Sequence, residues 1–255
     1  MKPISIQLYT VREEVKDGRH LDVLKRIADI GYKGVEGGAD FGYTNTEFRA
    51  VIEDLGMVVS STWGPMPDSD ENVEKLIQSA EELGTTNLVG GLWVQDFESQ
   101  DAIKRTAERL NYGLPALARA GLTYALHNHW IEFEPMNGAL RIDHLIELCP
   151  DLQLEIDVYW CTNFGANDPA EQVRRFRDRA PLLHVKDGSQ VRDEPMVAVG
   201  SGSLDIPGVL AAANPDVVRW HIVELDHCAT DMLDAVEGSY QYLVGNGLAL
   251  GNKPV

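Results

Sequence analysis

Short apolar runs suited to β-strands alternate with amphipathic, helix-patterned runs along all 255 residues, and no other feature constrains the fold as much. The strand-like runs lie at 4–9, 33–37, 57–63, 87–93, 122–128, 152–158, 181–187 and 220–226. Helical spacing predicts helices near 19–30, 45–55, 70–83, 99–119, 141–148, 168–179, 205–213 and 231–244. Alternating β and α elements build a parallel sheet. Eight such units in about 250 residues match one (β/α)8 TIM barrel, so the expectation is a single α/β barrel domain over 1–255. A doubly wound sheet is the rival. It would usually carry a glycine-rich turn after its first strand, and the turn here reads TVREEVKDG, with no G-x-G-x-x-G.

Local signals agree with this phase. Gly31, Gly56, Gly84 and Gly121 stand where helix C-caps fall, and Thr44, Asp70, Asp168 and Asp205 where N-caps fall. Pro169 occupies a first helical position, where its missing N–H costs nothing. Pro115 lies inside the fourth helical pattern, so a kink or break is expected there.

Composition excludes several functions. With 22 Lys+Arg against 40 Asp+Glu the net charge is −18, which opposes general nucleic-acid binding. No apolar run is long enough to span a bilayer. The opening MKPISIQLYT does not read as a signal peptide. Cys149, Cys161 and Cys228 are too few and too scattered for a disulfide framework or a zinc ribbon. Free thiols in a reducing cytoplasm fit the odd count, so the expected protein is soluble and cytoplasmic.

A barrel's active site lies where its strands end. The fifth strand ends in His127-Asn128-His129, the sixth in Asp157, the seventh in His184 and the eighth in Glu224. A lone histidine or aspartate at a strand end is usually a loop hydrogen-bonder. Two imidazoles and two carboxylates on four consecutive strand ends form a candidate metal site, better suited to Mn²⁺, Co²⁺, Zn²⁺ or Fe²⁺ than to Ca²⁺. Residues two apart share a strand face. Glu155, Lys186, His129 and Asp226 therefore form a second group beside His127, Asp157, His184 and Glu224. A buried Glu155 needs a partner such as a ligand histidine or Lys186. His20, His144 and His221 fall on helices or on the opposite strand parity and read as surface or packing residues.

The runs YALHNHWIEFEP, LEIDVYW, PLLHVKDGS, VGSGSLDIPGVL and HIVELD resemble the xylose-isomerase-like barrel superfamily of sugar isomerases and epimerases. The openings ISIQLYTVREEV and RIADIGYKGVEGG resemble its first two units. The resemblance implies a divalent metal, with Mn²⁺ the leading choice and Co²⁺, Zn²⁺, Fe²⁺ or Mg²⁺ as alternatives, held by His127, Asp157, His184 and Glu224. In the ketose 3-epimerases of the superfamily two glutamates bind metal and exchange the proton. One of them falls on His127 here, so Glu224 needs His129, Lys186 or Glu132 as its acid–base partner. The ligand set is compatible with isomerisation, epimerisation and β-elimination.

Gln7, Tyr9, Glu36, Trp63, Trp93 and Trp160 stand at strand mouths, either as a sugar-binding wall or as caps on the core; Glu155 joins the substrate-facing group. The Gly200–Ser203 stretch falls where barrels can hold phosphate, but it carries no cation and reads as a turn capped by Asp205. The leading expectation is a metal-dependent isomerase or epimerase of an unphosphorylated keto-sugar or polyol derivative, working through an enediolate. The alternative is a lyase or dehydratase acting on a keto-sugar, an inosose or an oxidised glycoside. A non-catalytic sugar-binding barrel is a lesser reading, and an abasic-site nuclease is opposed by the charge. The expected partner is a small sugar, with no nucleic acid or membrane, and with homo-oligomerisation possible.

Overall fold

A computed structural model describes residues 1–38 and 42–255. Eight strands pair in parallel around a closed ring: Lys2–Gln7, Gly34–Glu36, Val58–Trp63, Asn87–Gly91, Thr123–His127, Gln153–Asp157, Leu182–Val185 and Trp220–Val223. The eighth strand closes on the first, with Ile4 opposite His221 and Ile6 opposite Val223. Helices His20–Ile30, Asn45–Asp54, Asp70–Leu83, Gln100–Arg119, Arg141–Leu148, Pro169–Phe176, Ile206–Ala211 and Met232–Gly245 cover the outside, giving a (β/α)8 TIM barrel.

Alternation along the strands divides the core in two. One face of each strand packs against the helices, joining residues such as Ile4, Ile27, Leu126 and Val173 in one large apolar cluster. The other face fills the barrel interior, where Val89, Ala125, Leu182 and Ile222 form a separate plug. Burying each such side chain contributes about 1.5–3 kcal/mol. The plug lies two residues below His127, His184 and Glu224, so the same parity that fills the barrel aims these polar groups at its open end.

Helix caps explain the element limits. Thr44 accepts from the Glu47 N–H in a capping box, and Asp168 and Asp205 accept from Ala170 and Gly208. Gly84 closes its helix at φ 71°, a conformation that favours glycine. Three expectations need correction. Ser69 rather than Asp70 caps the third helix, accepting from the Asn72 N–H. Pro115 does not break its helix, which continues from Gln100 to Arg119 with Leu110, Leu114 and Leu117 buried. The first strand stops at Gln7, and Leu8–Val11 forms a 3-10 turn because the Gln7 side chain accepts the Tyr9 N–H.

A short strand at Ala249–Leu250 adds to the first strand outside the ring, and Pro135–Met136 pairs with Ala139–Leu140 in a hairpin after the fifth strand. No helix among the described residues is long and apolar enough to cross a membrane.

Candidate metal centre and active-site pocket

His127, Asp157, His184 and Glu224 are brought together at the C-terminal end of the barrel, each offering a ligand atom within 4.8 Å of the others. All four are buried, with Asp157 and His184 at 0% exposure. The fifth to eighth strands supply one residue each, and the parallel register sets Asp157 opposite His184.

Hydrogen bonds fix the orientation of each ring. His127 Nδ1 lies 3.1 Å from Glu155 Oε2, which leaves Nε2 free to ligate. His184 Nδ1 lies 2.8 Å from Glu224, and its Nε2 lies 2.9 Å from Glu36 and 3.0 Å from Glu155. Asp157 Oδ1 accepts the backbone N–H groups of Tyr159 and Trp160, at 2.9 and 2.8 Å. Its buried Oδ2 has no hydrogen bond; the Lys186 ammonium stands 3.1 Å away without hydrogen-bond alignment. Lys186 Nζ also contacts Glu224 and Asp226, both at 2.8 Å.

Charge state follows from these contacts. Burial lowers the His127 pKa and the neighbouring His184 lowers it further, so His127 is a neutral imidazole. Burial also opposes a charge on His184, but Glu155, Glu36 and Glu224 outweigh it and hold the pKa well above the usual range. Lys186 is likewise penalised by burial, yet Asp157, Glu224 and Asp226 lift its pKa, so it stays an ammonium and is no base. Glu224 is pulled well below the carboxylate range by Lys186 and His184 against the cost of burial. Burial pushes Asp157 up to about 6 despite Lys186. Glu155 is raised by burial and then by Glu36, so it holds a proton.

This set fits a divalent cation. Its mixed nitrogen and oxygen donors suit Mn²⁺, Fe²⁺, Co²⁺ or Zn²⁺, and the buried Asp157 Oδ2, which accepts no hydrogen bond, keeps its lone pairs free for a cation beside Lys186. Glu36, Glu155 and His184 form a second close group around the other face of His184.

A cavity of about 740 Å³ opens onto the cluster, with Gln7, Trp63, Trp93, His127, His129 and Glu224 in its wall. Trp63 donates its indole N–H to Glu36 at 2.7 Å and lies 5.1 Å from the His127 ring. Trp93 is 60% exposed; the fourth strand stops at Gly91, and Trp93 instead opens the short helix Val94–Phe97 and stacks on His129 at 5.4 Å. Trp160 follows Asp157 with its ring 5.5 Å from Lys186 Nζ. Glu36 does not stand at the open mouth. It is fully buried beneath the cavity, where Gln7, Ser61, Trp63 and His184 all reach it. His144 bonds the Met136 carbonyl on the outer layer, and buried His221 lies near the opposite end of the barrel.

Asp187 and Arg12, near the mouth, were not singled out in the sequence, whereas Glu132 was named there as an acid–base candidate. Asp187 is buried and accepts four backbone N–H groups, from Gly188, Gly200, Gly202 and Leu204. The glycine-rich stretch therefore does form an anion-binding nest, and the chain's own carboxylate fills it. The D-G and G-S-G pairing was the available signal. Arg12 lies in the cavity wall, stacked 3.9 Å over the Tyr9 ring. Glu132 is fully buried, accepts the His129 N–H at 3.0 Å and is pushed up to about 8 by burial.

The sequence profile of one family, described as xylose isomerase-like TIM barrel, matches residues 24–237. No curated protein matches the sequence. Among solved structures, a sugar phosphate isomerase/epimerase from Parabacteroides distasonis ATCC 8503 is 24% identical, with a TM-score of 0.74 over 95% of this chain and 93% of that one. The probable 3-DHS dehydratase AsbF from Bacillus anthracis, involved in petrobactin synthesis, is 15% identical, with a TM-score of 0.72 over 95% and 98%. An L-ribulose 3-epimerase is 18% identical, with a TM-score of 0.69 over 97% and 95%.

Proposed function

The chain belongs to the xylose isomerase-like TIM barrel family, and on that premise we propose that it is a divalent-metal-dependent isomerase or epimerase of a carbohydrate. The observation that carries this reading is the buried quartet of His127, Asp157, His184 and Glu224, two of which, His127 and Glu224, line an open cavity. These four would hold the metal, Mn²⁺ being the leading choice. When bound, such a cation polarises a substrate carbonyl and lowers the pKa of the adjacent C–H.

The chain's own groups divide the remaining work. Glu224 is held ionised and reaches into the cavity, so it is the group able to take a proton. Lys186, fixed by three carboxylates, supplies positive charge where an enediolate oxygen develops. His129 lines the same cavity, and burial lowers its pKa, so its neutral imidazole serves as the second acid–base group. Its Nδ1 is buried and without a hydrogen bond, and stacking on Trp93 orients the ring. Gln7, Trp63, Trp93 and Trp160 would bind the sugar, while Glu36 and Glu155 orient the ligand histidines rather than touch it. The self-filled nest at Asp187 supports an unphosphorylated substrate.

One observation favours a second reading on the same site. The ionised Glu224 lies 2.8 Å from the Lys186 ammonium, while the neutral rings of His127 and His129 pair with each other at 5.1 Å. A carboxylate able to take a proton beside an ammonium able to give one suits removal of a proton by Glu224 and protonation of a leaving group by Lys186, which is β-elimination. The fold shared with a dehydratase as well as with an epimerase agrees with either reading.

The test combines metal analysis with product analysis. Purified protein stripped by chelator and reloaded with Mn²⁺ is incubated with candidate keto-sugars in deuterated water. Products of substrate mass carrying deuterium support the isomerase, and dehydrated or unsaturated products support the lyase. Failure of Asp157→Asn and Glu224→Gln to weaken metal binding would overturn both.

A further inference from the structure

Four of the six non-glycine residues with positive φ among the described residues lie in the loops after the sixth and seventh strands: Asn163 (45°), Phe164 (56°), Gln190 (63°) and Asp193 (66°). Asparagine and aspartate tolerate this region; a phenylalanine there is a genuine outlier. Such strain persists only where the surrounding structure imposes it, and it gathers at ligand-binding sites.

The strain serves one contact. Phe164 is turned back toward Trp160 and Trp130, with ring centroids 5.9 and 6.0 Å away, and the two tryptophans are 5.6 Å apart. From the other loop, the Arg192 guanidinium lies 4.1 Å from the centre of the Phe164 ring and 5.7 Å from that of Trp130. Each of the three rings is only partly buried. This wall is continuous with the metal cluster, because Trp160 lies 5.5 Å from Lys186 Nζ, which contacts Asp157 and Glu224. Trp63, which ends the third strand, and Trp93, which follows the fourth, lie across His129 from it, the His129 ring standing 5.4 Å from Trp93 and 6.3 Å from Trp130.

We infer that Phe164, Trp130 and Trp160 form a subsite for the second ring of a two-ring substrate, a glycoside whose aglycone is flat and uncharged or electron-rich. The inference rests on the proposed sugar site for the placement of the first ring. The guanidinium 4.1 Å from the Phe164 ring centre shows that the π face of this ring is open to a partner. Lys186 and Arg192 beside the rings exclude a cationic aglycone. A turn of this shape needs only glycine or asparagine at position 164. The phenylalanine adds nothing to the turn and supplies the stacking surface.

The experiment is calorimetric titration of the Mn²⁺-loaded protein with phenyl β-D-glucopyranoside and methyl β-D-glucopyranoside, which share the sugar and differ in the aglycone. The phenyl glucoside is expected to bind about three- to tenfold more tightly. Phe164→Gly should bring the two ligands to within about twofold. Phe164→Leu, which keeps an apolar side chain without a π face, should do the same and serves if the glycine variant fails to fold. Equal affinities in the parent protein, a preference that survives in both variants, or no heat with either glucoside overturns the inference. Mn²⁺ binding is titrated separately. Its loss would count against the metal reading alone, whereas intact Mn²⁺ binding with equal glucoside affinities would count against the subsite alone.

Discussion

Replacing Asp187 by alanine removes one buried carboxylate and the four backbone hydrogen bonds it accepts, at 2.9 Å from Gly188, 2.9 Å from Gly200, 3.0 Å from Gly202 and 3.2 Å from Leu204. The fit is close enough that a Cβ at Gly202 would stand 2.1 Å from Asp187 Oδ1. Hydrogen bonds to a charged group contribute about 1.5–3 kcal/mol each and do not add independently. Gly200 and Gly202 lie at the surface, so water can replace the carboxylate there, whereas Gly188 is buried and Leu204 partly so. Counting two uncompensated bonds at the lower figure gives a loss of about 3 kcal/mol. For a chain of this size that lowers Tm by about 6–12 °C. Asp187→Asn keeps the shape but turns an N–H₂ group toward backbone donors, so it is expected to lose most of the same stability. Formate, a carboxylate small enough for the vacated nest, should recover part of the Tm of the alanine variant and leave the parent unchanged. Circular dichroism melts with and without formate provide the assay. A drop below about 2 °C, or a formate response equal in parent and variant, would refute the claim that the carboxylate holds this loop.

Two further outcomes follow from buried or strained groups. Burial pushes Glu132 up to about 8, so its folded-state pKa exceeds the unfolded value; its contribution is complete below about pH 4.5 and is lost as pH rises through 8. Glu132→Gln removes that loss, and urea denaturation should find the variant gaining on the parent by about 4 kcal/mol between pH 5 and 8; a pH-independent difference sinks the argument. At Phe164, with φ 56°, glycine should be more stable than alanine by about 1 kcal/mol, reversing the order seen in ordinary helix and strand positions, and the opposite order in thermal melts would show that the backbone there is not strained.

The barrel and its interior parity were legible because they rest on periodicity. Eight apolar runs separated by helical patterns leave few other topologies, and a two-residue repeat places His127, Asp157, His184 and Glu224 on one side of their strands. Features that depend on neighbours distant in sequence were not legible. Glu36 looked like a residue of the mouth because its strand is short, yet Gln7, Ser61 and Trp63 enclose it and turn it onto His184, 148 residues away. The wall of Trp130, Trp160 and Phe164 depends on backbone conformations after the sixth strand that no hydrophobic pattern encodes. Pro115 misled for a related reason. Local propensity disfavours it, but Leu110, Leu114 and Leu117 bury the same helix on both sides of it, and tertiary packing decides.

His184 connects both acidic groups in the barrel, and its two nitrogens decide how they divide the work. Nδ1 faces Glu224 and the quartet; Nε2 faces Glu36 and Glu155. A neutral imidazole carries one N–H and one lone pair, so it can ligate through only one nitrogen. If Nδ1 ligates, the proton stays on Nε2, where two carboxyl groups are already placed to accept it. Ligation through Nε2 would instead leave Glu36 and Glu155 without that donor and put the N–H on Nδ1, against Glu224. Glu36 and Glu155 would therefore act on a bound metal through the ring they orient. Glu155 extends the same control to His127, whose Nδ1 it also contacts at 3.1 Å. One buried carboxyl group thus fixes the ligating nitrogen of two histidines. Glu155→Ala should weaken Mn²⁺ binding by about 10–100-fold, the range found when such outer partners are removed, although the residue itself lies outside the quartet.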